Sequence, residues 1–214
     1  MDKKQIINVL DVYYKLCSLK RKKRQGWVYW NVAKTRIESI AEHVFGVQQL
    51  AWVIYSEAQL DLDIFKVIAM LSLHETEEVI IGDITPFDNI TDAEKLAMGD
   101  KAVKQIFGKI NKSEILIELI NEFNQRNTKE AQFAYLCDKM ECDLQVKRYS
   151  DLGKCSVENA NKKIISDDRV KTILENGAKT VADVFLENDK GKYKGTVFED
   201  VVNFLKKHSK VYKK

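Results

Sequence analysis

The stretch "DIFKVIAMLSLHETEEVII", residues 63–81, decides how the chain folds. Its first half carries apolar side chains on nearly every face, and a helix that is apolar all round lies in the middle of a bundle. The second half places His74 beside three glutamates, although the whole chain has only three histidines. We therefore predict a central helix over residues 63–81 that carries an ionisable cluster into the core.

Few helix-breaking residues occur around this stretch: the 214 residues include one proline and nine glycines. Apolar periodicity and capping boxes, such as the one from Ser39 to Glu42, predict a chain of helices. They cover residues 3–19, 38–59, 63–81, 91–107, 113–126, 129–149, 157–163, 168–187 and 196–208. We expect residues 21–32 and 187–195 to form loops. The expected fold is all-α, a single-domain helical bundle over residues 1–214.

Composition excludes several classes of protein. The net charge of +3 is too small to indicate a nucleic-acid binder, and the basic run "LKRKKR", residues 19–24, is typical of a solvated helix end or, alternatively, an anion site. No segment has the ~18 apolar residues of a membrane-spanning helix, and no secretory signal is recognisable. The four cysteines form no C-x-x-C pair. We expect a cytoplasmic protein with reduced thiols.

The histidines raise the question of a metal site. "HETEE" begins like the zinc-protease motif H-E-x-x-H, but position 78 is Glu, so that motif lacks its second histidine. His43 and His74 lie on apolar helices, where each is either a buried neutral histidine with a hydrogen-bond partner or a metal ligand. His208 lies in the basic tail "LKKHSKVYKK" and is a weaker candidate.

Carboxylates near these histidines favour the metal hypothesis. Glu78 follows His74 by one helical turn and shares its face, so it could contact water on a bound metal. Glu77 is expected to be solvated. Asp138 follows the apolar run "FAYLC" and should lie near the core, where it is the best candidate for a carboxylate ligand from a distant helix; the alternative is a salt bridge to Lys139 or Arg148.

Three segments carry a family resemblance: "ESIAEHV", "LHETEEVIIGDITPFDN" and "LCDKMECDLQ". Together they resemble the HD-domain metal-dependent phosphohydrolases, and the segment "GWVYWNV" before the first of them makes the likeness closest to the 5′-deoxynucleotidase branch. The resemblance covers about residues 8–150, and residues 151–214 form a C-terminal helical extension.

The resemblance implies a role for each matching residue. The metal ligands would be His43, His74, Glu75 and Asp138. The catalytic acids would be Glu78 and Asp83, and the substrate would meet Arg24, Trp27 and, as a weaker alternative, Arg36. The family pair is His-Asp, whereas this chain has His74-Glu75; glutamate can bind the same ions through oxygen.

The function implied is release of phosphate from deoxynucleoside monophosphates by an enzyme holding a divalent cation (Mn, Co, Mg, Zn or Fe). The alternatives are an HD-type phosphohydrolase acting on a signalling nucleotide or a nucleoside triphosphate, and a non-catalytic helical protein that binds a metal or nucleotide. The resemblance also implies a homodimer, with Tyr29 and Trp30 as exposed aromatic candidates for a contact or a substrate edge. Neither nucleic acid nor a membrane is an expected partner.

Overall fold

The computed structural model describes residues 1–34 and 36–208, and this part of the chain is helical with no β-strand. An isolated antiparallel bridge joins Lys23 to Ser39. The α-helices are α1 (Lys3–Leu16), α2 (Gln25–Tyr29), α3 (Ile40–Glu57), α4 (Ile64–Leu73), α5 (Glu78–Ile81), α6 (Asp92–Phe107), α7 (Ser113–Gln125), α8 (Lys129–Asp151), α9 (Lys162–Ile165), α10 (Asp168–Glu175), α11 (Val181–Tyr193) and α12 (Val197–Lys207). A 3₁₀ helix, Cys17–Lys20, follows α1. The all-α prediction is confirmed.

The described residues divide into two compact units. Unit 1 comprises residues 1–24 and 38–135, and unit 2 comprises the described parts of 25–37 and 136–208. The assignment of residues 1–214 to one domain stays a prediction. None of the described helices is both long and apolar enough to cross a membrane.

Helix α4 is the middle element of unit 1, as its composition predicts. It packs against α3 on one side and α7 on the other. Its side chains Val67, Met70 and Leu71 are fully buried, whereas Phe65 near its first turn is 76% exposed. A second apolar cluster joins α1, α6 and α7 through Val12, Val103, Ile106, Phe107 and Ile120.

The predicted single helix over residues 63–81 is wrong in one respect, because the chain turns at His74. Helix α4 ends at Leu73, and tight three-residue hydrogen bonds follow it, from Thr76 N to Leu73 O and from Glu78 N to Glu75 O. Such bonds tighten the last turn of a helix. The turn changes the directions of consecutive side chains, so His74 and Glu75 need not point about 100° apart as on a regular helix. Helix α5 then runs for one turn to Gly82, which takes the left-handed φ of +77°.

Several expectations for unit 2 are also wrong. The predicted loop 21–32 contains helix α2, and the predicted helix 157–163 is replaced by α9. The helix predicted over residues 168–187 is two helices, since Gly177 between them has φ +102°. The predicted loop 187–195 belongs mostly to α11. A capping box between Thr180 and Asp183 precedes this helix, and the buried Tyr193 is its last residue.

Tyr29 at the end of α2 and Trp30 just after it differ in burial. Trp30 is 1% exposed and its ring lies 5.9 Å from that of Phe185, which corrects its expected exposure. Tyr29 is half-buried with the Lys163 ammonium 4.7 Å from its ring centre. At the end of α12, His208 stacks on Phe204, and the rest of the predicted basic tail, 209–214, lies outside the described residues.

Candidate metal centre

His43 enters the core of unit 1 from the first turn of α3. Ser39 accepts a hydrogen bond from Glu42 N, and Glu42 accepts one from Ser39 N, so both ends of the capping box are closed. The His43 backbone N donates to Ser39 O over 3.1 Å, and the imidazole is fully buried. The cap therefore fixes the position from which the ring projects.

His74 is held in one tautomer by the carbonyl of Leu71. Its Nδ1 lies 2.8 Å from Leu71 O, and a carbonyl only accepts, so Nδ1 carries the hydrogen. In the neutral ring the lone pair is then on Nε2, which is the arrangement of metal-binding histidines. The ring of Phe123 on α7 packs 5.2 Å from the His74 ring and supports it.

Glu75 brings its carboxylate to both imidazoles. Its Oε1 lies 3.5 Å from His43 Nε2 and 3.8 Å from His74 Nε2. One donor atom from each of the three residues lies within 4.8 Å of the others. Two imidazole nitrogens and a carboxylate oxygen around one point are a donor set that suits Mn, Co, Zn or Fe. The residues present therefore fit a divalent cation.

Arg24 lies against the same carboxylate. Its Nη1 is 2.7 Å from Glu75 Oε1 and 3.9 Å from Asp83 Oδ1, and its backbone N donates to Glu38 O over 3.1 Å. The predicted phosphate-binding arginine and the predicted second acid thus lie beside the three candidate ligands. A guanidinium here offsets negative charge on the cluster and presents a flat set of donors that matches phosphate.

Glu78 completes the cluster in unit 1. It is 1% exposed, and its Oε2 has no hydrogen-bond partner. Burial raises the pKa of Glu78 well above its ordinary value; the charges of Glu75 and Asp83 add to this, and Arg24 opposes it. A raised pKa makes a carboxylate a stronger base toward a neighbouring proton donor.

Glu77 was expected to be solvated, and this expectation is wrong. Its Oε2 is buried without a hydrogen-bond partner, and its side chain lies over Gly99 of α6. Burial, followed by the charge of Glu75, raises the pKa of Glu77 to about 7. The turn after α4 carries Glu77 inward, and a helical projection of the sequence does not show that turn.

The remaining predicted site residues lie in unit 2. Asp138 on α8 is 6% exposed and forms a 2.8 Å ion pair with Lys139, which is the alternative that the sequence leaves open. Trp27 is buried, with its ring 5.4 Å from that of Phe185 and 5.6 Å from that of Tyr149. Arg36 is exposed, and its carbonyl accepts from the Tyr149 hydroxyl. The ligand role of Asp138 and the substrate roles of Trp27 and Arg36 stay predictions.

An all-α fold with buried histidines and acids converging near a helix end defines a class of metal-binding helical proteins. The family model for the HD domain matches residues 16–182, and the chain belongs to this family. The family assigned from the sequence is therefore confirmed.

Curated relatives share part of their length with this chain. It is similar to 5′-deoxynucleotidase HDDC2 of Mus musculus, with 36% identity over 63% of this chain and 66% of that one. It is also 33% identical to the protein of the same name from Bos taurus, over 68% of this chain and 69% of that one. The chain spans slightly less than two thirds of the mouse and human proteins, at 66% and 64% of their lengths.

Solved structures show the same fold. A predicted metal-dependent phosphohydrolase from Magnetospirillum magnetotacticum MS-1 aligns with a TM-score of 0.67 at 20% identity, over 97% of this chain and 93% of that one. The PH0347 protein from Pyrococcus horikoshii OT3 aligns with a TM-score of 0.64 at 24% identity, over 92% and 98%.

Proposed function

We propose that this protein is a metal-dependent phosphomonoester hydrolase that acts as a 5′-deoxynucleotidase. The observation that carries the proposal is the convergence of His43, His74 and Glu75 beside the Arg24 guanidinium. The relatives named 5′-deoxynucleotidase support the choice of reaction and substrate. Phosphate release needs charge stabilisation and positioning more than covalent chemistry, and this cluster has groups suited to both.

The proposed ligands of the cation are His43, His74, Glu75 and Asp138. The first three come from unit 1, and Asp138 is assigned from its burial and from the family resemblance. A divalent cation held by these residues would lower the pKa of bound water and polarise a phosphoryl oxygen. Its identity among Mn, Co, Mg, Zn and Fe is open to metal analysis.

The acids and the arginine have separate proposed tasks. Glu78 accepts a proton from the attacking water and returns it to the leaving 5′ oxygen, and the burial that raises its pKa makes it a stronger base. Arg24 donates to the phosphate, and Asp83, 3.9 Å from it, orients the guanidinium. Trp27 and Arg36 are the proposed contacts for the rest of the nucleotide.

A substrate panel tests the proposal directly. Purified protein is supplied with Mn²⁺ or Co²⁺ and offered deoxynucleoside monophosphates, ribonucleotides, nucleoside triphosphates and a signalling nucleotide. We expect phosphate release chiefly from the deoxynucleoside monophosphates. Phosphate release only from another nucleotide would show that the enzyme acts on a different substrate. No phosphate release from any nucleotide by folded, metal-loaded protein would favour a non-catalytic binding protein.

The chain supplies a matched control for this assay. His74→Ala removes a buried candidate ligand, whereas His208→Ala removes an exposed histidine at the end of α12. Loss of activity in the first variant alone, with both variants folded, supports the cluster as the active centre. Equal activity in the two variants would show that His74 is not part of the active centre.

A homodimer and a cytoplasmic location also belong to the proposal. The aromatic side chains Trp52 and Phe65 form an exposed edge-to-face pair in unit 1, which is consistent with a contact surface. None of the four cysteines forms a disulfide, which is consistent with a reducing compartment. Light scattering on the purified protein measures the first property, and cell fractionation the second.

A further inference from the structure

The basic run over residues 19–24 contains one lysine that behaves differently from its neighbours. Lys20, Arg21 and Lys23 are exposed, whereas Lys22 is half-buried. The Lys22 ammonium donates to the carbonyl of Glu78 over 2.6 Å and to the carbonyl of Val79 over 2.9 Å. Lys22 is therefore neither a solvated residue at a helix end nor part of an anion site, because its ammonium binds the backbone of α5.

Helix α5 needs such support because it is only four residues long. A single turn has little stability of its own, and the carbonyls of its last turn have no partner inside the helix. Glu78 O accepts from Gly82 N at 3.2 Å as well as from Lys22, so the ammonium adds a second, charge-assisted bond at that carbonyl. A cation at the carbonyl end of a helix is also favoured by the helix dipole.

The segment that carries Lys22 is tied to two other parts of the cluster. The Lys22 carbonyl accepts from Ile40 N over 2.8 Å at the start of α3, which carries His43. Two residues later, Arg24 reaches Glu75. Residues 22–24 thus form a strap that joins the helix of one histidine, the candidate ligand Glu75 and the turn that bears Glu78.

We infer that Lys22 is a positioning residue, which caps the carbonyl end of α5 and thereby holds the Glu78 carboxylate in the cluster. The inference rests on the proposed function for its catalytic consequence and on the hydrogen bonds of Lys22 for its structural one. The Lys22 ammonium bonds to the backbone carbonyls of Glu78 and Val79, so its removal acts through α5 and Glu78.

The first test measures α5 itself and is independent of activity. Lys22→Met keeps an unbranched apolar stem and removes the donors, and Lys20→Met is the matched control in the same run. We expect hydrogen exchange in residues 78–82 to speed up at least about fivefold in Lys22→Met and to be unchanged in Lys20→Met. Unchanged protection of this segment in Lys22→Met overturns the inference, whatever the enzyme's substrate.

The second test measures catalysis and uses a double-mutant cycle. Misplacing a catalytic group can cost about 10- to 100-fold, so Lys22→Met should lower kcat by that factor, leave KM and metal affinity within about twofold, and be partly rescued by Lys22→Arg. In a Glu78→Gln background the same substitution should have no further effect. Multiplicative losses in the cycle, or a wild-type kcat in Lys22→Met, contradict the inference. An inactive wild-type protein with the expected exchange result contradicts only the proposed function.

Discussion

Replacing Asp143 by asparagine should change how the stability of the protein depends on pH. Asp143 is fully buried on α8, where its Oδ2 accepts from the Tyr193 hydroxyl over 2.8 Å and its Oδ1 has no hydrogen-bond partner. Burial raises the pKa of Asp143 to about 8 from an ordinary value of 3.8; the charge of Asp189 adds to this, and Tyr193 and Lys192 oppose it.

The sign and size of the effect follow from these two pKa values. The folded protein holds the proton up to about pH 8, and the unfolded chain releases it near pH 4, so stability is fully present below pH 4 and is lost as the pH rises towards 8. Each pKa unit corresponds to about 1.4 kcal/mol, so the loss between about pH 5 and about pH 8 is on the order of 3–4 kcal/mol.

Urea unfolding at several pH values measures this loss. Asparagine still accepts from Tyr193 but does not titrate, so the Asp143→Asn profile should be flatter than the wild-type profile by on the order of 3–4 kcal/mol over that range. Glu77, whose pKa is about 7, contributes to the slope of both proteins and cancels in the difference. Parallel profiles for the two proteins would refute the reasoning.

Three further predictions concern the cluster and its support. Arg24→Met should lower kcat/KM by about 10- to 100-fold, which is the value of a charge-assisted hydrogen bond, whereas Arg21→Met, at an exposed position, should leave it unchanged. Steady-state kinetics measure both variants, and equal losses would contradict a phosphate-binding role for Arg24. Glu75→Gln should weaken Mn²⁺ binding by at least about tenfold, measured by calorimetry. Glu75→Asp keeps the charge, so its Mn²⁺ affinity should stay within about tenfold of the wild-type value. Wild-type affinity in Glu75→Gln would exclude Glu75 as a ligand. Tyr193→Phe should cost about 1–3 kcal/mol of unfolding free energy in urea at pH 7, because it leaves Asp143 without its donor; an unchanged midpoint would show that this bond contributes nothing.

Much of unit 1 could be predicted because its signals are local. The apolar faces of α3 and α4 and the capping box at Ser39 depend on residues within one or two turns of each other. The family resemblance of three sequence segments was also enough to name His43, His74 and Glu75 together as candidate ligands. Their distances could not be predicted, because they depend on how α3 packs on α4.

The errors occur where tertiary contacts override local patterns. The turn after Leu73 and the burial of Glu77 depend on hydrogen bonds and packing that a continuous helical pattern conceals. The inward position of Trp30 depends on Phe185, more than one hundred residues later in the chain. Lys22 lies in a run of basic residues, and its distinct role follows only from the placement of the α5 carbonyls.

Metal analysis of the purified protein tests the central claim most directly. Elemental analysis after loading with Mn²⁺ and gel filtration would compare wild type with His43→Ala, Asp138→Asn and the exposed-histidine control His208→Ala. We expect about one ion per chain in wild type and His208→Ala, and strongly reduced metal in the other two variants. Full metal content in folded His43→Ala, or none in wild type, would contradict it.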